Sequence, residues 1–292
     1  MIRYASTSSP PVRPKRLRFG LLSASDIRCM SVCKVTETTL YYRGLPASSG
    51  LLDPLMGTVD RRHLCATCMN DARRCQGHPG HIELSFPVYY IGFVDIVVKV
   101  LRITCFCCSR ICLTDDECST LDDSLSGRTR LSHVHNTYRT RRICPHCQMT
   151  RPSYSRSNFG IRITWPNDMQ WESPEEEAFC TESIFTARDA LSILTNIPDA
   201  DLITMGFTPS ESHPKNMIVQ NMVVPPPCTR PAVYSSEGSR SRGQNDLTMR
   251  LIEIMKRSND VAAFMGSDVT WRTLPSVSNE LIERINRLQY EV

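Results

Sequence analysis

Residues 65–81 read CATCMNDARRCQGHPGH, so three cysteines and two histidines fall within one short stretch. Structural zinc sites use four thiolate or imidazole ligands, and tight turns supply these ligands two at a time. The first predicted zinc site therefore consists of Cys65, Cys68, Cys75 and His78. Gly77 and Gly80 suit the tight turns that aim this histidine. Four protein ligands leave no position for a reactive water, so the pattern predicts a structural site, with His81 as a hydrogen-bonding or packing residue.

A second cluster of cysteines lies in residues 105–112, CFCCSRIC, and in residues 144–147, CPHC. Each stretch contains a Cys-x-x-Cys pair, and two such pairs can complete a site of four thiolates. The predicted ligands of this second zinc are Cys105, Cys108, Cys144 and Cys147. Cys107, Cys112 and His146 crowd the same region, and Cys107 is an alternative that could displace a neighbouring ligand. A redox role for the first pair is disfavoured because the second pair is present.

The composition of the chain favours zinc over disulfides. The chain has 292 residues, 14 cysteines and a formal net charge of +4. Its basic, serine- and proline-rich start lacks the apolar stretch of a secretory signal, and the longest apolar run, IGFVDIVVKVL, is too short to span a membrane. We therefore expect an intracellular protein with reduced thiols and one large or two modest domains. The net charge does not imply a nucleic-acid partner, although basic residues recur in groups such as Arg139, Arg141 and Arg142.

Apolar periodicity predicts a mixed α+β chain. A flexible basic tail is predicted over residues 1–16, followed by a short helix that Ser23 or Ser25 caps, with Ile27 and Met30 facing inward. Further predicted elements are a helix over Tyr89–Arg102, a polar surface excursion over 118–142, a helical module over Thr186–Phe207, and a strand that enters the proline loop within 217–233.

The last part of the chain carries two helical stripes. The apolar positions are Leu247, Leu251, Ile254 and Met255 from Asn245 onward, and Val277, Leu281, Ile285, Leu288 and Val292 at near-heptad spacing after Pro275. Two stripes joined by a loop predict an antiparallel helical hairpin. Its remaining residues carry charges of both signs, which favours a protein partner over a polyanion.

Several of these segments together resemble the start of the largest subunit of archaeal and eukaryotic-type RNA polymerases. The stretches that carry the resemblance are FGLLSASDIRCMSV, LMGTVDRRHLCATC, CQGHPGHIEL, the CFCC and CPHC pairs, ILTNIPDADLITMGF, HPKNMIVQNMVVPPPCTRPAV and GSRSRGQNDLT. They follow one another in the family's order over nearly the whole chain. The resemblance is to the archaeal and eukaryotic type, because the pattern Cys-x-Gly-His-x-Gly-His is not that of the bacterial counterpart.

The resemblance implies a fold and a set of partners. The fold is a zinc-stapled clamp module with a C-terminal coiled-coil hairpin, and the clamp holds DNA and the RNA–DNA hybrid. The implied organisation is a tail (1–16), a segment contacting the polymerase core (17–45), a zinc-binding block (46–150), a clamp core with a lid-like loop at 223–235 (151–244), and the hairpin (245–292). Implied partners are the second-largest and other subunits, the remainder of the largest subunit, and initiation or elongation factors on the hairpin.

The lid-like loop and the residues after it raise the question of nucleic-acid contact. A proline-stiffened loop makes a good wedge, and Arg230, Arg240 and Arg242 are predicted to meet phosphates, with ordinary solvated charge as the alternative. We predict two structural Zn²⁺ ions. A Mg²⁺ ion is expected only in the complete polymerase, because the family's magnesium-binding motif Asn-Ala-Asp-Phe-Asp-Gly-Asp is missing here and LTDDECSTLDDS reads as a solvated loop.

The predicted function is therefore a non-catalytic clamp portion of a polymerase. We expect a fragment, or one polypeptide of a divided subunit, as would suit a large DNA virus, located in the nucleus or cytoplasm or packaged in a virion. The alternative from another class is a free-standing zinc-ribbon adaptor that binds nucleic acid or protein. A zinc hydrolase is disfavoured because it needs an open coordination position and a general base.

Overall fold

The computed structural model describes residues 15, 19–60, 63–121, 124–157, 160–166, 182–234, 242–266 and 275–292. The predicted tail lies almost entirely outside the described residues. For positions 115, 182–183, 233–234, 242, 266 and 275–280 only the backbone is described. Helices and strands alternate along the chain, in agreement with the predicted α+β class.

Two long strands from distant parts of the chain pair at the centre. Strand β3 (Gly80–Tyr89) runs antiparallel to β7 (Ile218–Val224), with Gly80 opposite Val224 and Tyr89 opposite Ile218. Before them, β1 (Tyr41–Tyr42) pairs with β2 (Leu45–Pro46). The β3–β7 pair joins the predicted zinc-binding block to the predicted clamp core, so packing continues across the boundary that the sequence placed at residue 150.

The first helix, α1 (Ala24–Met30), begins as the sequence predicts. Ser23 caps it in a reciprocal arrangement with Asp26, which confirms one of the two predicted caps. Ile27 is buried, but Met30 is 42% exposed, so the expected inward orientation of Met30 was wrong. A helix of only two turns has a narrow buried face, and Met30 lies outside it.

The largest buried cluster lies between a small sheet and four helices. The strands of this sheet are β4 (Ser153–Ser157), β5 (Gly160–Thr164) and β6 (Glu182–Phe185), all antiparallel. The helices are α2 (Val94–Leu101), α4 (Gly127–Tyr138), α5 (Ala187–Thr195) and α6 (Asp199–Thr204). The predicted helical module is thus present as α5 and α6, and Pro198 caps the second of them.

Helix α2 starts later than the sequence predicts. Tyr89 belongs to the end of β3, and its hydroxyl donates to the carbonyl oxygens of Phe185 (2.9 Å) and Thr186 (3.0 Å). The segment predicted as one helix, Tyr89–Arg102, is therefore divided between the end of β3 and helix α2. Val97 and Val100 are fully buried, as their helical spacing predicts.

The segment between the two predicted cysteine pairs is more ordered than expected. It contains α3 (Asp115–Ser119), capped by Thr114, and the longer α4. Leu131 and Val134 of α4 are buried in the largest cluster. The expected surface excursion was therefore wrong for this helix, because two apolar residues in a polar sequence suffice to anchor one face.

After β7 the chain forms a loop that begins with Pro225, Pro226 and Pro227, the proline loop, and then continues into two long helices. A 3₁₀ turn spans Pro227–Thr229, and β8 (Val233–Tyr234) pairs with β9 (Arg242–Gly243). Helices α7 (Asp246–Gly266) and α8 (Pro275–Glu291) then pack against β3 through a shared apolar cluster. The buried members of this cluster are Phe86, Val88, Ile254, Val261, Leu281 and Leu288.

Candidate metal centres

Three turns of the chain share one backbone conformation. Each follows a Cys-x-x-Cys pair, and the residue after the second cysteine has a positive φ angle: 56° at Met69, 57° at Ser109 and 59° at Gln148. In each turn this residue donates its amide hydrogen to the carbonyl oxygen of the first cysteine, at 2.9–3.1 Å. The reversal brings the two thiols of each pair to the same side, so it forms the tight turn that the spacing predicts.

The first metal centre combines one such turn with a glycine turn. Its members are Cys65, Cys68, Cys75 and His78, whose ligand atoms all lie within 4.8 Å of one another. Cys65 and Cys75 are buried. The Nε2 atom of His78 is also buried and has no hydrogen-bond partner. An unpartnered imidazole nitrogen beside three thiols fits a metal ligand, since buried polar atoms are otherwise hydrogen-bonded.

The thiols of the first centre differ in acidity. The nearby His78 ring, followed by the backbone amide of Asn70, lowers the pKa of Cys68 to about 6, so this sulfur is a thiolate at neutral pH. Burial raises the pKa of Cys75 to about 11. A metal ion would displace the proton of any ligand thiol that is still protonated, because a coordinating thiol is deprotonated.

The second metal centre contains four cysteines. The Cys105 and Cys147 sulfurs are 3.4 Å apart, those of Cys108 and Cys144 are 3.8 Å apart, and all four lie within 4.8 Å of one another. A tetrahedron with Zn–S bonds of about 2.3 Å has sulfur–sulfur edges of about 3.8 Å. The spacing therefore fits a four-thiolate site.

Backbone amides at the second centre favour thiolate. Burial alone raises the pKa of Cys144, but hydrogen bonds from the backbone amides of Cys147 and His146, together with the neighbouring thiols, lower it to about 6. Burial raises the pKa of Cys105. As in the first centre, four protein ligands close the site, which leaves no position for a reactive water.

The other cysteines and histidines near the centres have different surroundings. Cys107 is exposed and is not among the four clustered thiols. Cys112 is fully buried against Cys105 and Cys144, in the crowded region that the sequence indicates. His81 lies outside the first centre, and its Nδ1 is 2.7 Å from the Ser31 hydroxyl, in agreement with its predicted hydrogen-bonding role.

The proline loop lies directly against the first centre. Gly77, with φ of 83°, leaves so little room that an added Cβ would lie 2.6 Å from Pro226 Cβ and 2.7 Å from Cys228 Sγ. The sequence suggests a glycine turn here, but it does not show that the turn supports a loop some 150 positions away. Gly77 thus serves both the backbone turn and the contact.

Of the three arginines predicted to meet nucleic acid, only Arg230 has a described side chain, and this side chain is buried. Arg230 is only 2% exposed, and its guanidinium donates to the carbonyl oxygens of Pro225 (3.0 Å) and Leu51 and to the Thr248 hydroxyl (3.1 Å). The structure therefore gives Arg230 an internal role, fastening the proline loop, in place of the predicted phosphate contact. Arg240 is outside the described residues, and the side chain of Arg242 is not described.

Comparison with known proteins places the chain in a family. The family model for RNA polymerase Rpb1, domain 1, matches residues 13–291. The chain belongs to this Rpb1 family. The match covers both metal centres, the β3–β7 pair and both long helices, in agreement with the resemblance found in the sequence.

Curated relatives of this Rpb1-family chain come from a eukaryote and from archaea. The DNA-directed RNA polymerase II subunit RPB1 of Euplotoides octocarinatus is 30% identical over 277 residues, covering 90% of the chain and 57% of that protein. The Rpo1N subunits of Methanocaldococcus jannaschii and Thermococcus celer are each 32% identical, over 252 and 251 residues, covering 18% and 27% of their own lengths. The chain thus spans less than two thirds of each of these relatives. Among the described helices, none is long and apolar enough to cross a membrane.

Proposed function

We propose that this chain is the N-terminal part of the largest subunit of a DNA-directed RNA polymerase, where it forms the clamp that holds DNA and the RNA–DNA hybrid. The observation that carries the proposal is the Rpb1 domain 1 match over residues 13–291. The relatives are named as polymerase subunits, which supports the same assignment. The chain would be non-catalytic alone, because it lacks the aspartate-rich magnesium motif. The Mg²⁺ ion of nucleotidyl transfer would belong to residues outside it.

Two structural Zn²⁺ ions are part of this proposal. The first would be held by Cys65, Cys68, Cys75 and His78, and the second by Cys105, Cys108, Cys144 and Cys147. Thiolate and imidazole ligands in closed tetrahedral sets are the donors that structural zinc takes. When bound, the ions would cross-link loops and contribute directly to folding.

The two long helices would form the clamp's coiled-coil hairpin. Arg250 near the start of α7 lies 3.1 Å from Glu291 at the end of α8, which supports an antiparallel arrangement. Arg257 and Arg287 are paired with Glu253 (2.9 Å) and Glu283 (2.6 Å) on their own helices. This surface of mixed charge suits docking of initiation or elongation factors, since complementary charges give specificity.

The remaining segments take the roles that the family resemblance implies. Residues 17–45 would contact the polymerase core, 46–150 would form the zinc-binding block, and 151–244 the clamp core, with a lid-like loop at 223–235. Partners would be the second-largest and other subunits and the remainder of the largest subunit, and the location would be intracellular. Because the buried Arg230 hydrogen-bonds to Pro225 in the loop and to Leu51 and Thr248 outside it, this residue would hold the lid-like loop in place.

The experiment is purification of the tagged chain with its native complex from cells that express it. We expect co-purification with a second-largest subunit and with a polypeptide carrying the aspartate-rich motif. The complex should incorporate labelled ribonucleotides in a template-dependent manner, whereas the chain alone should contain two zinc ions and incorporate none. A chain that stays apart from any polypeptide with that motif would favour the alternative, a free-standing zinc-ribbon adaptor.

A further inference from the structure

A cavity lined by arginines lies beside the second metal centre. Its volume is about 300 Å³, and its walls come from the segment after α4 and from strands β4 and β5. The five arginines in its lining are Arg102, Arg139, Arg141, Arg142 and Arg151, and among the residues that the structure describes no aspartate or glutamate lines it. We call this feature the arginine cavity. Three of these residues, Arg139, Arg141 and Arg142, form the basic group that the sequence analysis identifies.

Most of this positive charge is not compensated by the described residues. Arg141 forms a forked ion pair with Glu117, with N–O distances of 2.6 and 2.9 Å. Among the described residues, no carboxylate pairs with the other four guanidinium groups. Arg102 donates through Nε to the carbonyl oxygen of Tyr154 at 2.8 Å, which neutralises no charge. Like charges gathered in a concave site focus a field that attracts an anion.

An unpartnered buried donor in the same cavity is a second, independent observation. Arg151 is only 7% exposed, and its two terminal nitrogens donate to the carbonyl oxygens of Arg141 and Arg102. Among the described residues, none accepts a hydrogen bond from its Nε. Tyr154, another residue of the cavity lining, is 3% exposed, and no described residue is a hydrogen-bond partner of its hydroxyl. Buried donors are nearly always hydrogen-bonded in folded proteins, so these two atoms are donors for which the described residues supply no acceptor.

We propose that the arginine cavity binds a phosphate group from the backbone of a nucleic acid. A guanidinium presents planar, forked donors that match phosphate oxygens, and it stays charged at any physiological pH. The cavity is large enough for a phosphate with part of its sugar. The phosphate chemistry follows from the cavity itself, whereas the choice of nucleic acid as its source rests on the proposed function.

The test compares two double variants of the zinc-loaded full chain. Arg139→Gln with Arg142→Gln removes two exposed arginines of the cavity, so folding should be preserved. Arg43→Gln with Arg128→Gln removes the same charge from two exposed arginines that do not line it. Zinc content and melting temperature check that both variants fold.

The measurement is fluorescence anisotropy of a labelled DNA duplex over a range of salt concentrations. We expect the cavity variant to bind on the order of tenfold more weakly at low salt. The slope of log K against log salt should fall by about 0.9 for each phosphate that the variant no longer neutralises. The control variant should keep the slope of the unmodified chain. Equal affinities and slopes for the two variants would overturn the proposal.

Two further probes identify the source of the anion. Saturable binding of inorganic phosphate that the cavity variant loses, with duplex binding unchanged, would overturn the nucleic-acid source. Polyglutamate that binds as tightly as the duplex, with the same loss in the cavity variant, would overturn phosphate as the ligand. The polymerase co-purification is independent of both results, so failure of this site and failure of the proposed function are distinguishable.

Discussion

The two metal centres use the same cysteine turn but have different positions in the fold. The first draws all its ligands from positions 65–78 and contacts a 3₁₀ turn at Pro54–Met56, where the amide of His78 donates to the carbonyl oxygen of Met56 at 3.0 Å. The second joins two pairs that enclose α3 and α4. Ile103, Ile111 and Leu113, next to its first pair, belong to the largest buried cluster. The same cysteine turn thus packs against loop segments in the first centre and against the largest buried cluster in the second.

The largest expected difference comes from removing one ligand at equivalent positions. Cys68 and Cys147 are each the second cysteine of their turn, and both are half-buried. Replacing either with serine should release one zinc ion. Structural sites contribute about 10–16 kcal/mol in peptides, more than the whole stability of many domains. Cys147→Ser should therefore abolish cooperative unfolding of the main core, whereas Cys68→Ser should leave that core folded.

Elemental analysis and near-ultraviolet circular dichroism would check this comparison. The aromatic signal reports mainly on the large cluster, because Tyr154 and Phe185 pack there with their ring centres 5.4 Å apart. If Cys68→Ser lost this signal while Cys147→Ser kept it, the first centre, and not the second, would be the one that stabilises the largest buried cluster.

A smaller effect is expected at the contact between the first centre and the proline loop. Gly77→Ala places a Cβ against Pro226 and Cys228, in addition to forcing alanine into a positive φ. Gly44 provides a matched control, since its φ is +82° and nothing lies within 4 Å of its added Cβ. Gly44→Ala should cost about 1 kcal/mol from the backbone alone. Gly77→Ala should cost about 1–3 kcal/mol more from overpacking.

Chelator competition and urea unfolding would measure the two glycine variants. Gly77→Ala should lower the zinc affinity of the first centre and leave the second unchanged, whereas Gly44→Ala should affect neither. Equal zinc affinities in the two variants would mean that the loop moves away without disturbing the centre.

The smallest effect is expected for the ion pair in the segment between the two cysteine pairs of the second centre. The hydrogen bond from Arg141 lowers the pKa of Glu117 to about 2, from 4.5. The pair therefore contributes its full stability above about pH 4.5 and loses it as pH falls through about 2. Because both side chains are about 30% exposed, we expect a coupling of about 1 kcal/mol.

A double-mutant cycle of Glu117→Gln and Arg141→Met, followed by urea unfolding, would measure this coupling. It should be constant between pH 6 and pH 8, where Glu117 is ionised throughout, and zinc content should stay at two ions in all members. Loss of zinc from Glu117→Gln would show that the ion pair, and not the metal, holds the segment between the cysteine pairs.

Most of the site could be predicted from the sequence, and less of the fold. Both groups of four ligands come together as their spacing indicates, because two residues between ligands set a local turn whatever the rest of the chain does. The Ser23 cap is equally local. The late start of α2 and the presence of α4 were missed, since strand pairing and distant packing decide them.

Side-chain burial was least predictable at the arginines. The neighbours of Arg230 in the chain, such as Thr229 and Pro231, are exposed. Its guanidinium nevertheless hydrogen-bonds to Leu51, Pro225 and Thr248, and the first and last of these are distant from it in the chain. Arg102 and Arg151 likewise meet only when α2 packs against β4. Nothing near these positions in sequence distinguishes a buried arginine from a solvated one.

By itself, the sequence determined which four residues cluster at each candidate metal centre, the membership of the Rpb1 family and the two apolar stripes of the last helices. These depend on residue type at short spacing, where backbone geometry leaves few choices. Only the tertiary structure decided that β3 pairs with β7, that Gly77 contacts the proline loop, and that five arginines share one cavity. Such contacts join segments that are distant in sequence, and their energy depends on the packing of the whole chain.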